Sequence, residues 1–316
     1  MRPKYKIYLV LIVLQIIVSL LYFKKIKSEK YAEIDTYILL KKNVTQKQIL
    51  KTLEEINIKI SYLSWRIVAF THQKKFIPKA GEYLIPNNSS IYDIQKLFHN
   101  GKTITRTFTL IEGTTAKILK NKLIRNKYLS GKVPVLFEGI YKPNTYYFKY
   151  GYPRKKLLEQ MKAAQDKHLE TILKSIPKDF TLKNKYDLLT LASIIQSEAK
   201  DFKDSQLVAS VLINRLNKNM KLQTDATLAY GLKINGKKLT KKMLQSPNPY
   251  NTYIFRGLPP TPISYPGNNA LNALKNFKKT NFLYFVSDGK GGHRFSETYL
   301  EHKKNINLWI KSIKKE

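Results

Sequence analysis

At 316 residues the chain is long enough for a membrane anchor and two modest domains, at about 100–200 residues per domain. It contains no cysteine, which excludes disulfides, thiolate metal sites and cysteine nucleophiles. The formal charge of +35 is carried mostly by scattered Lys, while Arg, which supplies much of the bidentate recognition of bases, is scarce. A solvated lysine-rich surface, or attraction to anionic lipid or another anionic polymer, fits this pattern better than nucleic-acid binding, and no nucleic-acid partner is expected.

Residues 1–30 read as a cytoplasmic N-terminus and a transmembrane anchor. Ile7 to Phe23 carries no charge, with Arg2, Lys4 and Lys6 before it and Lys24, Lys25 and Lys27 after it. As a helix this stretch spans about 25 Å, just short of a ~30 Å hydrocarbon core. Lysines rather than a small-x-small cleavage site follow Phe23, so an uncleaved anchor is expected over a signal peptide. The lysines on both sides leave its orientation open.

Residues 31–105 read as a small mixed domain. EIDTYILLKKN alternates as a strand, and Thr45 offers an N-cap to the short amphipathic helix QKQILKTLEEI. SYLSWRIVAFTHQ fits a strand or a buried helix equally. Gly81 to Ile85 reads as a strand, followed by a Pro-Asn-Asn turn and a helix capped by Ser90 that stops before Gly101. This arrangement, with Lys79-Ala80-Gly81-x-Tyr83 and the run from Ser89 to Gly101, resembles a LysM-like module of the kind that holds glycan chains. A generic α+β spacer is the alternative.

The remainder, 106–316, reads as a mixed α+β domain. RTFTL is a strand leading through Glu112-Gly113-Thr114-Thr115 into the helix AKILKNKLIRNKYL. Phe137 to Phe148 is an aromatic-rich turn segment, either a buried corner or a shelf for sugar stacking, with core packing the simpler account of most rings. An amphipathic helix of about twenty residues starts near Pro153. Two periodic helices then meet across a short polar loop between Tyr186 and Thr227. Leu188, Leu189, Leu191, Ala192, Ile194 and Ile195 give the first a broad apolar face, and Glu198 projects near that face rather than away from it. A carboxyl beside apolar surface has its charged form disfavoured, which suits it to donate a proton near neutrality. Pairing with Lys200 or Lys203 on the surface is the simpler alternative from the pattern alone.

The second helix, SQLVASVLINRLNKN, has Ser205 as a candidate N-cap. Gln223, Thr224, Asp225 and Thr227 follow within five residues, a density of hydrogen-bonding groups that suits polyol or amide recognition, although Asp225 can also simply cap a short helix. A proline-rich loop, Asn248 to Gly267, adds Asn251, Thr252 and Tyr253, and Phe282–Ser287 with His293–Ser296 reads as a hairpin around Asp288–Gly292. The Gly-Lys-Gly-Gly run lacks the spacing of a phosphate loop, and no H-E-x-x-H, serine elbow or paired His occurs, so no metal and no cofactor is expected.

Taken in order, LASIIQSEA, VASVLINRL, LQTDATLAYG, NPYNTY, GLPPTPI and LYFVSDGKGGHRFS resemble the MltG/YceG-like endolytic murein transglycosylases over nearly the whole chain. The resemblance implies an α+β protein with an N-terminal transmembrane helix, a small LysM-like α/β module and a mixed α+β catalytic domain. It implies a single-pass protein of the cell inner membrane, N-terminus cytoplasmic and catalytic domain periplasmic, acting on peptidoglycan glycan strands, with peptidoglycan synthases as candidate partners. Glu198 matches the family's general acid, the second Glu of an E-x-E-A/T pattern whose first Glu is Gln196 here. The family's LQTDPT is LQTDAT, and its PDTY corner is Pro143-Asn144-Thr145-Tyr146. The implied reaction is non-hydrolytic cleavage of the MurNAc–GlcNAc β-1,4 bond to a 1,6-anhydro-MurNAc end, with Glu198 as general acid and then base. Gln223, Thr224, Asp225, Thr227, Asn251 and Tyr253 are the candidates for holding the glycan. A catalytically idle peptidoglycan-binding scaffold is the alternative function.

Overall fold

A computed structural model describes residues 3–71, 76–176, 182, 184–234 and 239–313. The chain divides into two compact units, Met1–Thr107 with Tyr147–Gly151, and Phe108–Tyr146 with Tyr152–Glu316. Both mix helices and short strands, an α+β architecture headed by an apolar helix. That helix, α1 (Pro3–Ser28), leaves its large apolar side chains from Ile7 to Leu21 exposed, and it is long and apolar enough to cross a membrane.

The first unit continues with β1 (Thr36–Leu40), α2 (Gln46–Glu54), α3 (Tyr62–Phe70), β2 (Gly81–Ile85) and α4 (Ile91–Asn100). β1 and β2 pair antiparallel with Ile38 opposite Tyr83, so their alternate side chains enter one core. Reciprocal capping boxes start α2 and α4: Thr45 with Gln48, and Ser90 with Asp93. α4 stops at Gly101, which adopts the left-handed conformation (φ 69°) that releases the chain from the helix. The segment that fits strand or helix from sequence is helical. Ser64, Trp65 and Val68 face inward at helical spacing behind the Ser61 cap, while His72 and Gln73 lie outside the described residues. Trp65, Tyr83, Phe98, Ile49 and Leu53 form the centre of this core.

The second unit begins across β3 (Arg106–Leu110), followed by α5 (Ala116–Arg125), β4 (Leu129–Ser130), β5 (Asn144–Phe148), β6 (Tyr152–Pro153) and α6 (Arg154–Leu173). β3 pairs with β5, and β4 runs parallel to β6. The aromatic segment is therefore irregular chain up to Pro143 and strand from Asn144, and it buries Tyr141, Tyr146 and Phe148 while leaving Phe137 and Tyr147 exposed. Next come α7 (Lys185–Glu198), α8 (Phe202–Asn217), α9 (Asp225–Gly231), α10 (Lys241–Leu244) and α11 (Asn268–Lys275). The hairpin β7 (Tyr284–Ser287) and β8 (His293–Ser296) and the terminal helix α12 (Tyr299–Ile313) complete it.

Helix α7 is the centre of this unit. Every residue from Leu188 to Ile195 is buried, with α8 and α11 packed against it, so the helix is enclosed on all sides rather than along one stripe. Its polar members are consumed internally: Thr190 Oγ1 donates to the Tyr186 carbonyl, and Ser193 Oγ donates to the Thr190 carbonyl at 2.7 Å. Ser193 also accepts from the Ile263 N–H (3.0 Å), and Gln196 Oε1 accepts from the Gly267 N–H (2.8 Å). Two side chains of α7 thus pin the irregular proline-rich loop. Gly139 is forced at this contact, since its φ of 78° is left-handed and a Cβ there would lie 2.8 Å from Pro262.

Truncating Ser193 to Ala leaves the buried Ile263 N–H without its partner. The expected cost is about 1–3 kcal/mol, read as a lowered urea midpoint at unchanged slope. An unchanged midpoint would show that the loop is held by other means.

Candidate active site

Glu198 is the last residue of α7, three positions beyond the enclosed run that ends at Ile195, and it is partly exposed. The chain leaves the helix at once, through Ala199 in an extended conformation. The carboxyl faces a cleft of about 410 Å³ built from five further segments. The turn before α9 supplies Leu222, Gln223, Thr224 and Asp225, the proline-rich loop supplies Tyr253, and the hairpin and α12 supply Phe285, Val286, His302, Ile306 and Trp309. α8 contributes Arg215.

Burial pushes the Glu198 pKa up from its ordinary 4.5 to about 7, the nearby Asp225 carboxylate adds to the rise, and His293 opposes it. The position in the last turn of a helix works in the same direction, because the negative end of the macrodipole disfavours an anion. No described residue donates a hydrogen bond to this carboxyl, and neither Lys200 nor Lys203 forms an ion pair with it among the described residues. The acid is desolvated yet left unclaimed, which suits proton transfer to a bound molecule. Gln196, two positions earlier, points elsewhere and holds Gly267.

Four of the six sequence candidates join Glu198 at the cleft. Asp225 and Gln223 are exposed, and the Tyr253 hydroxyl donates to Asp225 Oδ1 at 2.5 Å. Gln223 adopts a left-handed backbone (φ 55°), and its N–H bonds the Thr252 carbonyl. That conformation is costly for a non-glycine residue and fits a turn held by its surroundings. Thr224 lines the wall but is nearly buried, its hydroxyl given to Thr227.

The other two do not reach the cleft. Asn251 is fully buried: its amide donates to the Leu244 and Ser246 carbonyls, and its Oδ1 accepts from the Tyr253 N–H. Thr227 is fully buried and bonded to the Thr224 carbonyl and to Thr252 Oγ1. Both are scaffolding residues, corrected from glycan contacts, because every polar atom they own serves the loops they join. Two capping assignments also shift. Asp201 caps α8 by accepting from the Asp204 N–H, which places Ser205 inside the helix, and Thr224 rather than Asp225 precedes α9.

Several residues of the site escape a reading of the pattern. On α8, Asp204 Oδ2 accepts from His293 Nδ1–H at 2.8 Å, and Asn214 donates to the Thr280 and Phe282 carbonyls, tying the hairpin to the helix. Burial opposes a charged His293, but its bond to Asp204 and the charges of Asp204, Glu198 and Asp288 lift its pKa above the ordinary value. α12 presents His302, Ile306 and Trp309 at helical spacing along the cleft. Its start was legible as a capping box, Thr298 followed by Glu301, whose Oε2 accepts from the Glu297 and Thr298 N–H groups.

Two other concavities compete. A larger depression of about 600 Å³ in the first unit is lined by Lys47, Lys51 and Lys59 with Glu54. A third, of about 380 Å³ in the second unit, contains Glu138, whose pKa burial also raises to about 7. Its carboxylate, however, is taken by the Ala116 N–H at the start of α5 (2.9 Å to each oxygen) and by the Tyr230 hydroxyl. Glu138 is a capping group and Glu198 the available acid.

The cleft thus sets an unclaimed, desolvated carboxyl among polar and aromatic walls. The chain belongs to the YceG-like family, whose model matches residues 38–308. It is 39% identical over 127 residues to an endolytic murein transglycosylase of Bacillus subtilis, covering 40% of this chain and 35% of that protein. It is 32% identical over 176 residues to an endolytic murein transglycosylase of Streptococcus pneumoniae, covering 54% and 31%. The chain thus spans about a third of the length of these curated relatives. A crystal structure of a YceG-like protein from Listeria monocytogenes superposes with a TM-score of 0.54 at 26% identity, covering 86% of this chain and 99% of that one.

The folded pKa of Glu198 lies above its unfolded value, so its contribution to stability is complete below pH 4.5 and is lost as pH rises through about 7. Glu198→Gln removes this loss. Its thermal midpoint relative to wild type is expected to rise between pH 5 and pH 8, and a difference constant across that range would refute the burial argument.

Proposed function

We propose that this protein is a membrane-anchored lytic transglycosylase of peptidoglycan, with Glu198 as its single acid–base group. The observation that carries the reading is the Glu198 carboxyl, raised to about 7 and bonded to no described protein group, in a cleft with Gln223, Asp225 and Tyr253. The names of the relatives support the substrate class. In this reading Glu198 protonates the glycosidic oxygen between MurNAc and GlcNAc. The MurNAc 6-hydroxyl attacks C1, its proton passes to the Glu198 carboxylate, and the strand ends in 1,6-anhydro-MurNAc. The substrate's own acetamido oxygen stabilises C1, so no second protein carboxylate is required. Gln223, Asp225 and Tyr253 orient the glycan, and Thr224 shapes the wall.

The anchor is α1, placed in the inner membrane with its N-terminus cytoplasmic and the rest facing the wall, where peptidoglycan synthases are the fitting partners. The order β1, α2, α3, β2, α4 supports a LysM-like, glycan-holding role for the first unit.

Asp225 in the same cleft favours a second reading, a two-carboxylate hydrolase in which Asp225 activates water. The products separate the two: anhydro ends for the transglycosylase, reducing ends for the hydrolase. On uncrosslinked glycan, Glu198→Gln is expected to reduce turnover by 10²–10⁴-fold, the usual worth of a general acid. Unchanged turnover would overturn Glu198 as the acid, and no turnover by the wild type would leave the idle scaffold. The descending limb of kcat/KM should lie near pH 7. Asp225→Asn should move it to lower pH by removing the neighbouring charge, with cleavage retained, whereas abolition of cleavage would favour the hydrolase.

A further inference from the structure

Arg215 takes no part in the acid–base step, yet it is a buried cation on the wall of the cleft. Only 7% of it is exposed. Nε donates to the Leu283 carbonyl at 2.7 Å, and Nη1 donates to the carbonyls of Leu222 (2.8 Å) and Lys221 (3.2 Å) and to Gln223 Oε1 (3.3 Å). The guanidinium lies over the Tyr284 ring, 5.3 Å from its centroid. All four acceptors are neutral, and no ion pair among the described residues includes Arg215.

This arrangement is unusual in two respects. A charge withdrawn from water is normally paired directly with an opposite charge, and here no such ion pair forms among the described residues, although Glu198 and Asp225 line the same cleft. A guanidinium also carries five N–H donors, and the bonds above use only those on Nε and Nη1. The two on Nη2 have no partner among the described residues, although the group is nine-tenths buried and lines the cleft. Neutral dipoles thus fix the plane of the guanidinium and leave one edge for something that enters the cleft. Charge and geometry together select a planar oxyanion, since guanidinium pairs most strongly with carboxylates. His302, the other basic side chain on this wall, is no competitor: burial and the Arg215 charge hold its pKa below the ordinary value. Asp225 does not fill the position, because its bonded partner is the Tyr253 hydroxyl.

We propose that Arg215 is the anion-recognition residue of the Glu198 cleft and binds a carboxylate of the substrate through Nη2. The inference rests on the glycan-cleaving reading only in taking that carboxylate to belong to the strand being cut. Two sources share the chemistry: the free lactyl acid of a peptide-free strand, and a carboxylate of the attached peptide.

The test varies the substrate rather than the fold. Full-length wild-type protein in detergent micelles is given matched pairs of uncrosslinked strands, with the carboxylates free or converted to primary amides. One pair is peptide-free and the other carries peptides. Amidation at the recognised position is expected to lower kcat/KM about 10- to 100-fold, the usual worth of a charge-assisted bond. Loss confined to the peptide-free pair identifies the lactyl acid, and loss confined to the other identifies the peptide. Arg215→Gln should bring both members of the sensitive pair to the same rate, and Arg215→Lys should keep part of the discrimination, neither of which a purely structural arginine would produce. If the glutamine variant does not fold, the wild-type comparison still decides. If the wild type cuts no strand, the transglycosylase reading fails separately, and equilibrium binding of the same pairs to Glu198→Gln takes over the test. Equal turnover, or equal binding in that case, within about twofold in both pairs overturns the proposal.

Discussion

The second unit depends on the enclosure of α7. Eight consecutive buried residues leave no solvent-facing stripe, so the helix can show a polar side chain to a ligand only where it ends. Glu198 is that end. Enclosure makes the carboxyl poorly solvated, the helix terminus adds an unfavourable dipole, and the abrupt turn at Ala199 opens the cleft beside it. The raised pKa here is chiefly a consequence of packing, with the Asp225 carboxylate adding to it.

What surrounds the acid is largely irregular chain, and it is held by side-chain bonds more than by strands. Ser193 and Gln196 fix the proline-rich loop from α7, while Asp204, Asn214 and Arg215 fix the approach to the hairpin and the hairpin itself from α8. Asn251 and Thr252 close the same cage from within the loop. Each bond satisfies a backbone group that would otherwise be buried without a partner, so the loops are ordered at little cost in flexibility at the cleft. Gln223 is the point where this order becomes strain, with its left-handed backbone placed beside the acid.

The same physics sets what the sequence could reveal. Periodicity and capping are local, so α2, α4, α7, the hairpin and the position of Glu198 at the end of an apolar run were all legible. Satisfaction is not local. Asn251 and Thr227 look like ligand-binding residues because they are polar and close to other polar residues, but their partners lie in backbone that only the fold brings near. Arg215 fails in the opposite direction, since one cation inside the apolar run VLINRL reads as the outer face of a helix. The start of α8 shifted for a simpler reason: Asp201, four residues before Ser205, is also a cap-forming residue type, and the pattern does not show which N–H is open. α12 was missed although its capping box was present, because Lys303, Lys304 and Lys311 dilute its apolar spacing.

Glu138 shows how the acid can be told from an imitation. It shares with Glu198 a half-buried side chain, a neighbouring tyrosine, a cavity and a pKa raised to about 7, so perturbation alone does not separate them. The difference lies in what each carboxyl still has to offer. Both oxygens of Glu138 accept from the Ala116 N–H, one also from Tyr230, and protonating it would set a donor against a donor at the start of α5. Glu198 has no such donor facing it among the described residues, so it can hold or release a proton without breaking a bond of the fold. Arg215 follows the same rule with the sign reversed, as a buried charge on the wall of the cleft with donors the fold does not use. In this unit the groups left for a ligand are those that burial has perturbed and the fold has not already satisfied.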